Sequence, residues 1–146
     1  MPLRFVAGIA MALAVGAAHG ADGKIQPGQW RTTDTVLEMS NPLLPPEAVA
    51  RRKAKPVVAE YCVRSDDLLE LVVGKDQAGL CEGTVKTSGG RISGTRKCSG
   101  GKTTRTIEGT YSATKIDTQR EVQLQTAQGT ALTKSHVVSE RIGECQ

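Results

Sequence analysis

The stretch Cys81-Glu-Gly-Thr-Val-Lys-Thr-Ser-Gly-Gly-Arg-Ile-Ser-Gly-Thr-Arg-Lys-Cys98 is symmetric about Gly89-Gly90, with a cysteine at each end. A Gly-Gly pair between two arms bearing Thr, Val and Ile marks a two-residue hairpin, because the primed turns need positive φ at both central residues. With Gly89 and Gly90 as the loop, Ser88 faces Arg91, Thr87 faces Ile92, and the register runs out until Cys81 faces Cys98. Counting outward from the turn, the cysteines fall on a non-hydrogen-bonded pair. There the Cα atoms lie about 4.5 Å apart, within the range of about 4.4 to 6.8 Å that a disulfide spans. Hairpin and disulfide are thus one expectation.

From Gly79 onward the same logic repeats. Arms over 81–87, 91–98, 102–111, 116–126 and 130–142 are separated by Gly-Gly, Ser-Gly-Gly, Ser-Ala-Thr and Ala-Gln-Gly. Connections this short join antiparallel neighbours, so the five arms form a meander. Ile107, Gly109 and Tyr111 share a face with Arg105, and Val122 and Leu124 share one with Arg120. Such strands suit a sheet with one wet face.

Upstream, Lys24 to Met39, with Pro27-Gly28-Gln29-Trp30 near its start, reads as a strand opened by a turn and anchored by Trp30, and Val57 to Val63 reads as a second strand. Between them Pro42, Pro45, Pro46 and Pro56 rule out sheet and make 40–56 one long basic connection, in which Pro46 suits the first position of a short helix to Lys55. Ser65 to Val73 is the better helix. Ser65 can cap it, Asp66 and Asp67 suit its positive end, Leu68, Leu69 and Val72 share one face, and Gly74 suits the C′ position. The fold class expected is mainly β: an antiparallel meander of about seven strands, curled or barrel-like, with one short α-helix at about 65–73 and two disulfides. A closed barrel and an open sheet read alike in sequence.

Residues 1–20 read as an export signal: one positive charge at Arg4, an apolar run from Phe5 to Ala18, and small residues at Ala18-His19-Gly20. Residues 21–146 then form a single exported β domain. The apolar run is shorter than the roughly 20 residues that cross a bilayer, so no membrane span is expected. Loss of Arg4 lowers the formal net charge from +4 by one. That charge, with Trp30, Tyr61 and Tyr111 as the remaining aromatics, gives no case for nucleic acid.

Cys62, Cys81, Cys98 and Cys145 all lie in the exported part, an even number suited to an oxidising compartment. A metal site is the rival reading, but no two of them have Cys-x-x-Cys spacing. Pairing Cys81 with Cys98 leaves Cys62 for Cys145, one of three connectivities open to four cysteines.

Pro27-Gly28-Gln29-Trp30, Tyr61-Cys62-Val63 before a short acidic helix, Gly109-Thr110-Tyr111 after Cys98, and Arg141-Ile142-Gly143-Glu144-Cys145 together give the chain a family likeness. It resembles the bacterial family catalogued as domain of unknown function 3617, small exported proteins of Gram-negative bacteria. The resemblance implies a periplasmic, cysteine-bearing, mostly β domain and brings no catalytic residues. The basic proline-flanked segment and the terminal Gln146 depart from the family pattern. Gly28-x-Trp30 also resembles the opening of lipocalins, although a core-filling Trp in a first strand explains it as well.

Chemistry is sparse. His136 is the one imidazole of the exported part, in a strand that places it with Leu132, Lys134 and Val138, and no nucleophile or phosphate-loop motif accompanies it. The sequence therefore reads as a non-enzymatic periplasmic protein without cofactor, catalytic residue or metal ligand. Two roles fit: an interaction or envelope accessory module whose partner surface includes Arg51, Arg52, Lys53 and Lys55, or a carrier or sensor holding a small ligand in a lipocalin-like cavity. The partner, protein or small molecule, is not specified by the sequence.

Overall fold

A computed structural model describes residues 23–73 and 81–146. The elements in chain order are β1 (Gly28–Ser40), α1 (Pro46–Ala54), β2 (Val57–Val63), α2 (Leu68–Val73), β3 (Cys81–Ser88), β4 (Arg91–Cys98), β5 (Thr103–Tyr111), β6 (Lys115–Thr126) and β7 (Gly129–Gly143). The export-signal reading of 1–20 and the C′ position at Gly74 lie outside the described residues.

The seven strands form one sheet in the order β2-β1-β7-β6-β5-β4-β3, antiparallel throughout. The hairpin has the register its symmetry requires: Ser88 faces Arg91, Cys81 faces Cys98, and Gly89 and Gly90 have φ of 56° and 76°. The Cys81 and Cys98 Cα atoms are 4.0 Å apart across their disulfide. The second disulfide joins Cys62 to Cys145 at a Cα separation of 5.4 Å. Gln29 of β1 pairs with Cys62 on one side and Gly143 on the other, so this bond clamps the start of β1 between its two neighbours. In the chain-entropy description the short loop contributes about 3 kcal/mol and the long one somewhat over 4 kcal/mol.

The sheet is curled and open. Its edges are β2 and β3, so the bond from Cys62 to Cys145 ties down one edge and does not bring the two edges together. The inside of the curl carries Trp30, Val63, Ile92, Ile107, Tyr111 and Ile116 from the sheet, covered by Ile25 and Leu68. Residues 23–27 cross this end as a strap. Ile25 N–H donates to the Asp66 carbonyl at 2.9 Å, Gln26 N–H to Ala113 at 2.7 Å, and the Trp30 indole N–H to the Gln26 carbonyl at 3.0 Å. The strand expected from Lys24 thus begins at Gly28, because the backbone of 24–26 is spent on the strap, with Lys24 bridging Asp67.

Two helices are present among the described residues, α1 as well as α2. The α2 cap is Asp67, one residue before the helix, whose carboxylate accepts from Leu69 N–H at 2.8 Å; Ser65, expected to cap it, accepts from Asp67 N–H at 3.1 Å in the turn before. Leu68, Leu71 and Val72, at i, i+3 and i+4, are the residues that meet the core, with Leu71 where Leu69 was expected. On β1 the register slips between Val36 and Glu38, leaving Leu37 as an extra residue that is half-exposed at 53%.

The curl needs Gly109. A Cβ there would lie 2.1 Å from the Asp117 carbonyl oxygen and 2.7 Å from the Thr118 Cα on β6. Neither neighbour is a side-chain end that could swing aside. Gly109→Ala is expected to lower stability by about 1–3 kcal/mol through forced separation of β5 and β6, whereas Thr110→Ala, exposed on the other face, stays within about 0.5 kcal/mol. Urea midpoints of the two variants provide the comparison, and equal midpoints would remove Gly109 from this role.

Candidate functional site

The inner face changes character along its strands. On β6 it reads Ile116, Thr118, Arg120, Val122; on β5, Tyr111, Gly109, Ile107, Arg105; on β4, Ile92, Gly94, Arg96; and on β1, Trp30, Thr32, Asp34. One end is the apolar core, and the other is lined with charge.

At the boundary a row of hydroxyls crosses three strands. Thr32 Oγ1 lies 2.6 Å from Tyr61 Oη on β2 and 2.6 Å from Ser139 Oγ on β7. Beyond it, Arg52 of α1 donates to Asp34 Oδ2 at 3.3 Å, which fastens α1 to the sheet although no residue of that helix is buried. Asp34 Oδ1, Arg52 Nη1 and Arg120 Nε are buried atoms without a hydrogen-bond partner. Burial pushes the Arg120 guanidinium below its ordinary basicity, with Asp34 and Tyr61 pulling the other way. Those partners lie on β1 and β2 across β7, so the Arg120 side chain reaches over the inside of the curl.

On the β4 and β5 side, half-buried Arg96, which donates to the Cys81 carbonyl, and exposed Arg105 are direct cross-strand partners on this same face. With Arg120 they border a cavity of about 70 Å³ whose apolar lining includes Val72, Val85, Ile107 and Val122. Sequence reading noted Arg105 and Arg120 only as face-mates of Ile107 and Val122. The signal for the pair of Arg96 and Arg105 lies in register: they fall opposite each other when the strands are counted outward from the Gly100-Gly101 turn.

Of the expected partner surface, Arg51, Lys53 and Lys55 stand exposed on α1 and just after it, while Arg52 turns inward to Asp34. Trp30 is fully buried at 0% exposure, so it fills the core and does not line a calyx. His136 sits on the outer face, 2.7 Å from Asp117 Oδ1, with Thr35 and Gln119 as cross-strand neighbours. The described residues include no Ser, Thr or Cys hydrogen-bonded to it. The rest of the outer face carries exposed ion pairs such as Lys115 with Glu140 at 3.0 Å and Lys134 with Glu38 at 2.9 Å, each carboxylate raising the basicity of its lysine. Pairs this exposed contribute little to stability. Among the described residues no helix is long and apolar enough to cross a membrane.

Residues 25–145 match the family model described as "Protein of unknown function (DUF3617)". No curated protein and no solved structure matches the chain.

Arg120 and Arg52 are expected to behave oppositely on substitution. Arg120→Met removes a poorly solvated charge and is expected to leave stability unchanged or raise it by about 1–2 kcal/mol. Arg52→Met leaves the Asp34 carboxylate without its cation and is expected to cost about 1 kcal/mol, an effect that Asp34→Asn in the same chain reduces. Denaturation midpoints of the three proteins decide this. A large loss from Arg120→Met would make that arginine a structural element.

Proposed function

We propose, from the premise that the chain belongs to the DUF3617 family, that it is an exported, non-enzymatic interaction module of the periplasm. On this reading it takes up an extended segment of a partner protein along the free edge of β2. One observation carries it: β2 is an edge strand whose residues Val57, Val58, Ala59 and Glu60 are all exposed, with Val57 at 50% and Val58 at 58%.

Soluble proteins guard sheet edges, because a row of unpaired N–H and C=O groups recruits further strands. The opposite edge, β3, is guarded: Glu82 and Lys86 are exposed along it, and its end is closed by the disulfide to β4. The β2 edge has two valines where such charges would stand, and Glu60 is engaged by Arg31 at 2.8 Å. Leu43 and Leu44 of the connection, and Leu37 at the bulge, add exposed apolar surface near the same end of β1. Strand addition supplies affinity through the main chain and specificity through alternate side chains. Arg51, Lys53 and Lys55 flank the strand's start, so the partner segment alternates apolar with acidic residues. Two disulfides suit an oxidising compartment. His136 with Asp117 lacks a hydrogen-bonded nucleophile, which supports a role without catalysis.

Selection of extended peptides from a displayed random library against the disulfide-bonded protein tests this reading. The expected ligands alternate apolar with acidic residues and perturb the amide resonances of 57–63. Val58→Glu and the triple change Arg51→Glu, Lys53→Glu, Lys55→Glu are each expected to weaken them at least tenfold, with the melting temperature unchanged because these side chains are exposed. Peptides that bind both variants as well as the parent would contradict the edge-strand reading.

A further inference from the structure

We infer that α1 is a lid over the polar end of the inner face, opened by an acidic segment as the Asp34 carboxylate passes from Arg52 to Arg120. This goes beyond the edge-strand reading, because it concerns how α1 is held and what releases it.

The fastening is slight. No residue of α1 is buried, and prolines at 45, 46 and 56 bound it, each without an N–H to tie the chain down. Among the described residues, its one side-chain bond to the sheet runs from Arg52 to Asp34 Oδ2 at 3.3 Å. That bond uses half of each partner, since Asp34 Oδ1 and Arg52 Nη1 are buried and bonded to nothing. An arginine and a carboxylate seated for each other bond through two parallel N–H groups. The closed contact therefore leaves free energy unrealised on both sides.

A second cation stands within reach of the same carboxylate. Arg120 makes no hydrogen bond or ion pair among the described residues, and its Nε is likewise buried without a partner. Its cross-strand neighbour Ser135 pairs on the other side with Val36, two residues along the inner face from Asp34. Arg120 and Asp34 thus share one space diagonally across β7, whose Ser135 and Val137 bring no charge between them. Burial lowers the basicity of Arg120 and Asp34 opposes that, so the field of the carboxylate already reaches it. With Arg52 withdrawn, Arg120 neutralises Asp34, and opening leaves no carboxylate there without a cation.

The basic run supplies the trigger. In the closed form Arg51, Lys53 and Lys55 are exposed, while Arg52 is half-buried and engaged. Opening adds Arg52 to that group, so an acidic segment gathered by the run gains a fourth cation in the open form alone. A ligand shifts an equilibrium by just such a difference in affinity.

Titration of the full disulfide-bonded chain with hexaglutamate tests the handover, followed by calorimetry and by the arginine Nε–H resonances. The Arg120 Nε–H resonance is expected to move downfield on saturation as it gains the Asp34 acceptor, and to stand at that position without peptide in Arg52→Met. In Asp34→Asn it is expected to ignore the peptide, which binds at least threefold tighter because the lid has lost its closing contact. Arg120→Met is expected to weaken hexaglutamate at least threefold in the parent chain and to have no effect beside Asp34→Asn, since the handover needs both groups. A mere loss of one positive charge would weaken the peptide equally in both backgrounds, and that result would overturn the inference. An Arg120 resonance unmoved by peptide and by Arg52→Met, or no saturable binding, would overturn it as well. Hexaglutamate has no apolar residue to lay along β2, so failure here is distinct from failure of the edge-strand reading.

Discussion

The burial of Trp30 at one end of a curled sheet is the interaction on which the rest of the molecule depends. The chain is only 3% aromatic, so one tryptophan and one tyrosine anchor a core that must hold seven strands together. Trp30 is fully enclosed, its indole N–H satisfied by the strap at Gln26, and Tyr111 accepts from Gly23 N–H at 2.7 Å on the same strap. A buried tryptophan contributes about 3–5 kcal/mol over alanine. That is a large share of the stability of a domain this size. The two disulfides act on the same problem, one at the tip of the guarded edge and one across the start of β1.

A core so concentrated leaves the other end of the inner face unfilled by large apolar side chains. That end is occupied by hydroxyls, then Asp34 with Arg52, then the arginines, in an order fixed by strand register. Buried polar atoms without partners collect there, at Asp34, Arg52 and Arg120. Native structures retain few such atoms, and a contact that is exchanged in use is one reason to retain them. The outer face meets water with exposed ion pairs and asks nothing of the core. Function is therefore sought at two places where the fold departs from its own economy, the unguarded β2 edge and the polar end of the curl beneath α1.

Much of this was legible from local chemistry. The Gly89-Gly90 turn set the register of β3 and β4, the short Gly-containing connections ordered β3 to β7, and the prolines from Pro42 to Pro56 kept sheet out of the long connection. What local chemistry left open was set by packing at a distance. The strap at 24–26 reads like the start of a strand, and only its bonds to Asp66 and Ala113 make it a lid. Asp67 and Ser65 are both competent caps, and the docking of Leu68 into the core selects Asp67. Arg52 sat within a basic run read as a whole as a partner surface, and its tie to Asp34 depends on α1 folding back onto β1. Arg96, Arg105 and Arg120 lie far apart in sequence and meet only through the registers of three strands. Whether the sheet closes is likewise a property of the whole curl, because β2 joins through β1 and stays at an edge.

Amide hydrogen exchange on the disulfide-bonded protein is the most direct measurement of that arrangement. A sheet curled round Trp30 with open edges is expected to protect β1, β7, β6 and β5 most strongly, with alternate amides of β2 and of β3 exchanging fast because they face solvent. Slow exchange at every amide of both β2 and β3 would mean that the edges pair with each other, and would contradict the open sheet on which the proposed β2 edge site rests.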